Sequence, residues 1–572
     1  MTYPDANRNM LLKYFRFGKI DSGLLALVIG LSVVAFSQSP PIAQNARISG
    51  VLKNSAGHPV EGALVKLTNK DLGVGFMVVT KAEGRYSTPN IPSGRYTVQA
   101  FAGDSQSAPG TSVEARHGEQ GKADLVLSLP LSVPPPLKRL NEFQYADLMP
   151  PGEGKDVLTV LCTSCHSFLW IVSARKTPGK WAETVDRMRD DLQGRERPLN
   201  DLVKETEFDA IKKYLSKNYS PGTPIDPRVA EQMFAYPGGP SHANRNLPGK
   251  LLTGAAAKYV AMEFSVPSGS VPDGIAVDSK GTVWVSESKS GMIGRFDPGS
   301  LAYTRIAVPP GKTPKIRLNS IAIDPQDHVW CVDDGPNGRI LQYNPQTRGF
   351  DAYPMPDFPY PVPDDSGPYR MNALGFLDGN VWGTALTANW ILKLDPSTRK
   401  TTVYPIPKGT SPFGLAIGGD KMIWYDAEVN NRVIKLDPVS SRIVQYEVFT
   451  AKSDLRLMAA DAEGNLWVAA DESNKLLKVD YRDGHITEYT PPTEAAGPYS
   501  VDVDKQRNQV WFSEIFSDKI GRFDPRTNSF VEFPAPSANL DLRRVAVDRT
   551  RLGRVWWAGA QADKIGYIEV ME

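Results

Sequence analysis

The chain has 572 residues, and at about 150 residues per domain this length accommodates three or four domains. Lys and Arg (65) almost balance Asp and Glu (64), so the net charge of +1 provides no field for a polyanion, and we expect no nucleic-acid partner. A hydrophobic content of 41% excludes a disordered chain, while 48 Gly and 47 Pro favour many turns and short strands. The composition therefore predicts a mainly β multidomain protein.

Residues 1–37 have the pattern of a signal peptide. The first 22 residues carry four basic side chains (Arg8, Lys13, Arg16 and Lys19), and an uncharged run of 14 residues, GLLALVIGLSVVAF, follows at 23–36. A run this short does not cross a bilayer as a helix, so we expect cleavage, with an uncleaved N-terminal anchor as the alternative. No later segment is long and apolar enough to span a membrane. The prediction is a periplasmic or secreted protein without a membrane span after cleavage.

Residues 46–130 alternate between apolar and polar side chains, with glycine turns between the runs ISGVL, GHPVEGALVKL and GRYSTPNIPSGRYTVQA. Short period-2 runs of this kind predict an antiparallel β-sandwich. The segment resembles the carboxypeptidase regulatory-like domain at nine positions: Gly57, Pro59, Gly62, Ala63, Gly84, Tyr86, Pro92, Gly94 and Tyr96. The resemblance implies an accessory or docking module without catalytic residues.

A helical segment lies between two linkers. The Pro-rich stretch 131–140 is predicted to be a semi-rigid spacer, and 221–258, rich in Pro, Gly and Asn, a second linker with little structure of its own. Between them, residues 141–220 show helical periodicity. Two faces carry its apolar residues: Trp181, Val185, Met188 and Leu192 on one, and Phe208, Ile211 and Leu215 on the other.

Within that segment, Cys162-Thr163-Ser164-Cys165-His166 is the c-type haem attachment motif. Two thiols three residues apart can each add to a haem vinyl group, and the adjacent imidazole can then ligate the iron. A zinc site is disfavoured because residues 137–221 offer no further Cys or His, and a thioredoxin-like site is disfavoured because no βαβ pattern surrounds the motif. We expect one covalent haem c per chain.

The second axial ligand is predicted to be Met188. It follows Trp181 by seven residues and shares its helical face, whereas Met149 precedes the motif and Met233 lies in the second linker. The segment 162–188 resembles small periplasmic cytochrome c domains in which Trp-x3-Val-x2-Met supplies the thioether. The alternative is a core methionine. His/Met ligation is typical of electron transfer.

Residues 259–572 contain an internal repeat. Its tryptophans, spaced 42 to 52 residues apart, are Trp284, Trp330, Trp382, Trp424, Trp467, Trp511 and Trp556. This period, with four short alternating runs per unit, predicts a seven-bladed β-propeller. The chain stops after a third-strand-like segment at 563–570, and 263–267 has the pattern of an isolated outer strand, so their pairing would close the ring.

The repeat resembles the streptogramin (virginiamycin) B lyase family over roughly 310 residues, most closely in SPFGLAI, GPYSVDV-x6-VWFSE and DKIGRFDP. The resemblance implies one histidine at an inner-strand position in a late blade, an acid after the blade tryptophan, and a second histidine three residues later. In this chain those positions hold Tyr499, Glu514 and Ser517. Because the propeller's histidines, His328 and His485, fall in turns, we expect no streptogramin lyase activity.

The aligned repeats place one residue of each inner strand near the central channel: Asp273, Asn319, Asn372, Phe413, Arg456, Tyr499 and Arg543. Three acids, Glu287, Asp333 and Glu514, follow their blade tryptophans by three residues. These groups could bind a small polar ligand or form the polar lining of a wet channel. Cys331, beside Trp330 in a strand, is predicted to be a small buried apolar residue.

Three functions remain open. The first, and preferred, is an exported c-type cytochrome that exchanges electrons with a periplasmic redox partner, with the propeller as docking or ligand-binding platform. The second is a propeller enzyme acting on a small molecule, either a streptogramin B lyase-like carbon–oxygen lyase or a haem-coupled periplasmic dehydrogenase. The third is a non-redox binding protein with a structural or sensory haem. No dinucleotide fingerprint or metal-ligand cluster supports a further cofactor in the propeller.

Overall fold

The structure is a computed structural model, and it describes residues 44–134, 140, 142–162, 168–193, 203–233, 244–357, 369–407, 410–428 and 430–571. The fold over these residues is mainly β, with a β-sandwich-like N-terminal domain, a helical segment and a β-propeller. None of the described helices is long and apolar enough to cross a membrane. The predicted signal peptide lies outside the described residues.

The N-terminal domain begins with strand pairs that match the predicted alternation of buried and exposed side chains. Its strands are β1 (Gln44–Asn54), β2 (Leu64–Asn69), β3 (Val74–Val79), β4 (Arg85–Ser87), β5 (Ile91–Pro92), β6 (Gly94–Ala102), β7 (Ser105–Ser107), β8 (Thr111–Ala115), β9 (Gln120–Lys122) and β10 (Leu125–Pro130). Strand β1 pairs antiparallel with β4 and parallel with β9 and β10. Tyr96, on β6, is fully buried, and its hydroxyl donates a hydrogen bond to the Pro92 carbonyl, which ties the start of β6 to β5.

The helical segment, which we call the helical unit, has a hydrophobic core to which, among the described residues, only its own side chains contribute. Its helices are α1 (Glu142–Leu148), α2 (Lys155–Leu161), α3 (Phe168–Ser173), α4 (Pro178–Gln193), α5 (Glu205–Asn218) and α6 (Pro227–Gln232). The last helix falls inside the predicted second linker, and it buries Val229 in the core of the unit. The linker therefore has more structure than the sequence analysis predicts, since a single turn of helix is too short for a periodic signal.

The propeller is built from four-stranded antiparallel sheets, each running in chain order from the inner to the outer strand. Six of them are separate: β12–β15 (Pro272–Val277, Val283–Glu287, Met292–Asp297, Ala302–Ala307), β16–β19 (Leu318–Ile323, Val329–Asp333, Arg339–Asn344, Gly349–Pro354), β20–β23 (Leu374–Leu377, Asn380–Ala385, Trp390–Asp395, Lys400–Pro405), β24–β27 (Leu415–Ile417, Ile423–Ala427, Arg432–Leu436, Ile443–Glu447), β28–β31 (Leu455–Ala460, Leu466–Ala470, Lys475–Val479, Ile486–Tyr489) and β32–β35 (Pro498–Asp504, Gln509–Glu514, Lys519–Asp524, Ser529–Pro534). We number these sheets as blades 1 to 6.

A repeated aspartate turn helps to fold five of the seven repeats into blades. In blade 1, Asp278 accepts backbone hydrogen bonds from Lys280 and Thr282 through one carboxylate oxygen, and the indole N–H of Trp284 through the other at 3.0 Å. The same carboxylate–indole bond recurs in blades 2, 4 and 5 and at Trp556. A turn that also satisfies the buried indole fixes the register of the first two strands.

The seventh blade position holds β36 (Leu542–Val547), β37 (Arg554–Gly559), β38 (Lys564–Val570) and β11 (Tyr259–Ser265). The predicted pairing of the chain's last strand with the isolated outer strand is confirmed: β38 pairs antiparallel with β11, from Tyr259 opposite Val570 to Ser265 opposite Lys564. The four strands are not a separate sheet, however. The second edge of β11 pairs with β3 of the sandwich, so they belong to a 14-stranded sheet that continues into the N-terminal domain.

Candidate functional site

Residues from all seven inner strands meet at one end of the propeller's central channel. Each lies at or just before the N-terminal end of its strand; they are Asp273, Asn319, Asn372, Phe413, Arg456, Tyr499 and Arg543. Together with Arg544, which the sequence analysis did not single out, we call them the channel mouth. Side chains of the first five are buried, whereas those of Tyr499, Arg543 and Arg544 are half-buried. The predicted convergence is present, and most of the lining groups contact one another.

One side of the channel mouth is a hydrogen-bonded belt. Asn319 donates from its amide to Asn372 Oδ1 and to Asp334 Oδ2, both at 3.0 Å. Arg544 reaches from the opposite side of the ring and donates from Nη2 to the Asn372 carbonyl at 2.5 Å. Burial raises the pKa of Asp334 to about 6, although Arg317 and the Asn319 hydrogen bond act in the opposite direction. This belt joins three blade positions across the channel.

The other side is aromatic. The rings of Phe413 and Tyr499 meet edge to face with centroids 5.9 Å apart, and the Arg456 guanidinium lies 5.1 Å from the first centroid and 5.4 Å from the second. Burial raises the pKa of Tyr499, and the neighbouring arginines only partly offset that effect. Tyr499 therefore carries its proton at neutral pH and acts as a hydrogen-bond donor rather than as a base.

Two of the three arginines at the mouth are held by carboxylates. Arg456 contacts Asp471 at 3.1 Å and also pairs with Glu428 and Asp454. Arg543 contacts Asp541 at 2.9 Å and Asp273 at 3.8 Å. The pKa of Asp454 is raised well above its ordinary value, because burial outweighs the attraction of Arg456. At the mouth, burial therefore raises the pKa of Asp334 and of Asp454.

The predicted acids after the blade tryptophans do not take part in this constellation. Glu287 is fully buried within blade 1, where it contacts Arg305 Nη2 at 2.5 Å and accepts the Tyr303 hydroxyl at 2.9 Å. Asp333 is paired in the same way with Arg339 on the next strand of blade 2, at 3.0 Å. Because these partners lie on the third and fourth strands, both acids hold their own blades together.

Glu514 is also fully buried, and its Oε2 accepts the Ser517 hydroxyl at 2.6 Å. Its pKa is raised well above the ordinary value, first by burial and then by the nearby Glu532 carboxylate. A raised pKa lowers the fraction of this carboxyl that is ionised, and with it the capacity of Glu514 to act as a base near neutral pH. His328 lies in a turn, 2.9 Å from Asp324, and His485 lies in another turn, so neither imidazole reaches the channel mouth.

Sequence reasoning also missed a buried acid behind the mouth. Asp426, two residues after Trp424 in β25, is fully buried, and its Oδ1 accepts the backbone N–H groups of Phe413 and Gly414 at 2.8 and 2.7 Å. Its Oδ2 is buried without a hydrogen-bond partner. Burial raises the pKa of Asp426 well above its ordinary value. A signal was present in the sequence: the aligned positions hold Ser286 and Thr384, which are hydroxyl donors.

Of the predicted haem-binding residues, Cys162 and Met188 are among the described residues, and residues 163–167, with Cys165 and His166, lie outside them. Cys162 caps the C-terminal end of α2, where its backbone N–H bonds to the Leu158 carbonyl, and its half-buried side chain packs against the core of the helical unit. A thiol at the margin of an apolar core fits covalent attachment of an apolar group.

Cys331, in contrast, is fully buried, and burial raises the pKa of its thiol above the ordinary value, as expected for an inert strand residue.

The three methionine candidates differ in burial. Met149 is buried and its sulfur accepts the Thr159 hydroxyl at 3.5 Å, and Met233 is buried in the same core. Met188 is half-buried and does not belong to that core, although Trp181 and Val185 on its helical face do. A half-buried Met188 side chain outside that core is compatible with the predicted thioether ligand, and the ligand assignment stays a prediction.

The propeller and the sandwich both resemble known domains. Residues 359–572 match the profile of the Virginiamycin B lyase family, and residues 47–128 match that of the Carboxypeptidase regulatory-like domain. A virginiamycin B lyase of Nocardia farcinica (strain IFM 10152) is 22% identical over 276 residues, which are 48% of this chain and 74% of the relative. The N-terminal domain is thus a carboxypeptidase regulatory-like domain. The propeller is virginiamycin B lyase-like.

The solved structures of two lyases are also similar to this chain. A streptogramin B lyase is 25% identical, with a TM-score of 0.49, and covers 56% of this chain and 100% of its own. A virginiamycin B lyase from Staphylococcus aureus is 23% identical, with a TM-score of 0.48, and covers 55% of this chain and 100% of its own.

Proposed function

We infer that the chain is an exported c-type cytochrome fused to a lyase-like propeller. One haem c would be attached through Cys162 and Cys165, with His166 and Met188 as the axial ligands of its iron, and the propeller would act as a docking or ligand-binding platform. The redox partner would be a periplasmic protein. When bound, the haem supplies one-electron transfer.

The observation that carries the proposal is the Cys-Thr-Ser-Cys-His motif, placed directly after α2 in a helical unit with its own core. Support comes from the half-buried Cys162 thiol at the margin of that core and from the half-buried Met188 side chain outside it. The residues around them would exclude water from an attached group: Trp181 is buried and its indole N–H donates to the Tyr219 carbonyl at 3.2 Å. Water exclusion and a thioether ligand would both raise the reduction potential of a bound haem iron, which favours its reduced state.

The test is export of the full chain in a host that attaches haem c, followed by mass spectrometry and absorption spectroscopy. We expect the mass of one haem, pigment that survives denaturation, and the sharp reduced-state bands of low-spin haem c. The double variant Cys162→Ser, Cys165→Ser should be colourless. Met188→Ala should shift the bands, whereas Met233→Leu, a substitution at a buried methionine, should leave them unchanged. A wild-type chain without added mass refutes the proposal, and an unchanged Met188→Ala spectrum refutes the axial assignment.

A second candidate is carbon–oxygen lyase activity on a streptogramin B substrate, and it is favoured by the lyase-like propeller and by Glu514 at the position of the family's acid. We expect no turnover, because Tyr499 and Ser517 stand where the family resemblance requires imidazoles and both lack a group that takes up a proton near neutral pH. Ring opening of a streptogramin B antibiotic, followed by chromatography, is the assay. The double variant Tyr499→His, Ser517→His should gain activity if only the imidazoles are missing.

A further inference from the structure

Arg544 differs from the other arginines of the channel mouth because no carboxylate of the described residues lies within ion-pair distance of it. Its guanidinium makes one hydrogen bond, from Nη2 to the Asn372 carbonyl, and is otherwise half-buried at the channel. Arg456 and Arg543 beside it hold three and two carboxylates. A guanidinium offers five N–H donors in a planar fork, so most of the donors of Arg544 remain available.

Burial lowers the pKa of Arg544. At neutral pH the cost of partly dehydrating this cation is offset by the charge of the more distant Asp273, and Arg543 adds repulsion. An unpaired, partly dehydrated guanidinium gains considerably from a bound anion, because a charge-assisted hydrogen bond is roughly twice as strong as a neutral one. The same channel mouth supplies a second donor: within the described part of the chain, no hydrogen bond is found for the Tyr499 hydroxyl, which stays protonated at neutral pH.

We propose that the channel mouth binds a small organic carboxylate, with Arg544 pairing with the carboxylate and Tyr499 donating a hydrogen bond to it. The inference rests on the part of the proposed function that makes the propeller a ligand-binding platform, and it does not depend on the haem. The two donors come from neighbouring inner strands, β32 and β36. The rings of Tyr499 and Phe413 supply an apolar wall for the rest of the ligand.

A singly charged ligand fits better than a phosphate dianion. One guanidinium without a carboxylate partner balances one negative charge, and a carboxylate presents the two coplanar oxygens that a guanidinium fork matches. A second negative charge would face Asp273 and Asp541, which already hold Arg543. Like charges at this distance oppose binding in a partly dehydrated site.

The test is calorimetric titration of the full-length protein with benzoate, with its uncharged analogue benzamide, and with inorganic phosphate. We expect saturable binding of benzoate, and binding of benzamide and phosphate at least tenfold weaker. Arg544→Gln should weaken benzoate binding by tenfold or more and Tyr499→Phe by about three- to tenfold. The matched controls are Arg551→Gln, in the turn at the far end of β36, and Tyr404→Phe, on an outer strand, which should bind benzoate as the wild type does.

Circular dichroism of Arg544→Gln distinguishes loss of benzoate binding from loss of the fold. A second variant, Arg544→Lys, keeps the charge and should bind benzoate more tightly than Arg544→Gln does. The double variant Cys162→Ser, Cys165→Ser should bind benzoate like the wild type, so a failure of the haem proposal leaves this result intact. Equal binding of benzoate and benzamide, tighter binding of phosphate, no saturable benzoate binding, or undiminished binding by a folded Arg544→Gln variant would each overturn the assignment.

Discussion

The sandwich and the helical unit are both additions to the propeller, but they are built into the molecule in opposite ways. The sandwich shares its sheet with the propeller through β3 and β11, and it shares two hydrophobic cores with it. Within the described part of the chain, the core of the helical unit is formed by residues between 140 and 233. A domain that shares a core with its neighbour unfolds together with it, whereas one with a private core can unfold alone.

A buried acid ties the shared sheet together. Glu263, on β11, is buried, and its Oε1 accepts Lys564 Nζ from β38 at 2.7 Å and the Ser537 hydroxyl at 2.9 Å. Lys66 of the sandwich lies 3.9 Å from the same oxygen and donates to the Pro536 carbonyl at 2.6 Å. Burial lowers the pKa of Lys66, and Glu263 partly restores it. One carboxylate therefore joins two strands of the seventh blade position, the loop before it, and the sandwich.

The largest effect is expected from Phe264→Ala. The Phe264 ring packs on Phe296 with centroids 4.8 Å apart, and it belongs to the core that holds both sandwich and propeller residues. Removing a buried phenyl group should cost about 3–5 kcal/mol. Hydrogen exchange should then rise in both the sandwich and the seventh blade position. Faster exchange confined to the propeller would show that the two domains unfold separately.

Phe208→Ala is the counterpart in the helical unit. The Phe208 side chain is buried in the private core, so its removal should cost about 3 kcal/mol. Hydrogen exchange should increase in α1 to α6 and remain as in the wild type in the propeller and in the sandwich. An increase in the blades would contradict the independence of this unit.

Glu263→Gln should cause the next largest loss of stability. The amide keeps the shape of the side chain but removes the negative charge beside Lys564. Lys66 and Lys564, the two lysines near this carboxylate, are only about a quarter exposed. Breaking one partner of such a pair should cost about 2 kcal/mol, less than for a fully buried pair. The control is Glu447→Gln, whose exposed carboxylate pairs with Arg432 at 2.9 Å and should contribute less than about 0.5 kcal/mol. Chemical denaturation of both variants checks the difference; equal losses would contradict a buried tie at Glu263.

The blades were predictable because their determinants are local. The tryptophan spacing, the aspartate turn and the alternation all lie within one repeat, and ring closure follows from the need to cover an edge. The pairing of β11 with β3 was not predictable, since the sequence of an outer strand does not specify what lies on its second edge. In the channel mouth, the inner-strand position was found by aligning repeats. Glu287 was predicted to face the channel, but it is buried within blade 1. There it pairs with Arg305, two strands away in the same blade, and the spacing of residues within one strand does not reveal such a partner.

Arg544 and Asp426 were missed for a different reason. Alternation along a strand directs neighbouring side chains to opposite faces, so Arg544 was not expected beside Arg543 at the mouth. In blade 1 the position aligned with Arg544 holds Gly274, so the repeat pattern offers no second cation there. For Asp426, burial decides the chemistry, and burial of a carboxyl depends on the packing of blade 4 on blade 5 rather than on its own repeat.

The smallest expected effect is on the pH dependence of stability, which should differ between the propeller and the two added domains. In the propeller, Asp334, Asp426, Asp454, Asp502, Glu514 and Asp541 have raised pKa values, chiefly through burial. Among the described residues of the sandwich and the helical unit, the carboxyl groups with a shifted pKa are Asp124 and Asp226, and hydrogen bonds lower both. A carboxyl whose pKa is higher in the folded state binds more protons folded than unfolded, so stability falls as pH rises above the unfolded value of about 4.

Asp426→Asn isolates one of these groups. Ser286 and Thr384, at the same blade position, donate hydroxyl hydrogen bonds to the Asn319 and Phe413 carbonyls of the next inner strand. Protonation of the buried Asp426 Oδ2 would place an O–H group at this position of blade 4, and the Asn amide would remain uncharged at every pH while its oxygen still accepts the Phe413 and Gly414 N–H groups. The variant's stability relative to the wild type should therefore increase between pH 5 and pH 8, by on the order of 1 kcal/mol.

The matched control for that experiment is Asp395→Asn, on the propeller surface. Hydrogen bonds from Ser397 and Thr398 lower the pKa of Asp395 to about 2, so it stays ionised from pH 5 to pH 8 in both the folded and the unfolded states. Its variant should differ from the wild type by a constant amount over that range. Thermal unfolding at several pH values measures both. If the Asp426→Asn difference is equally flat, the buried carboxyl is ionised in the folded protein over that pH range.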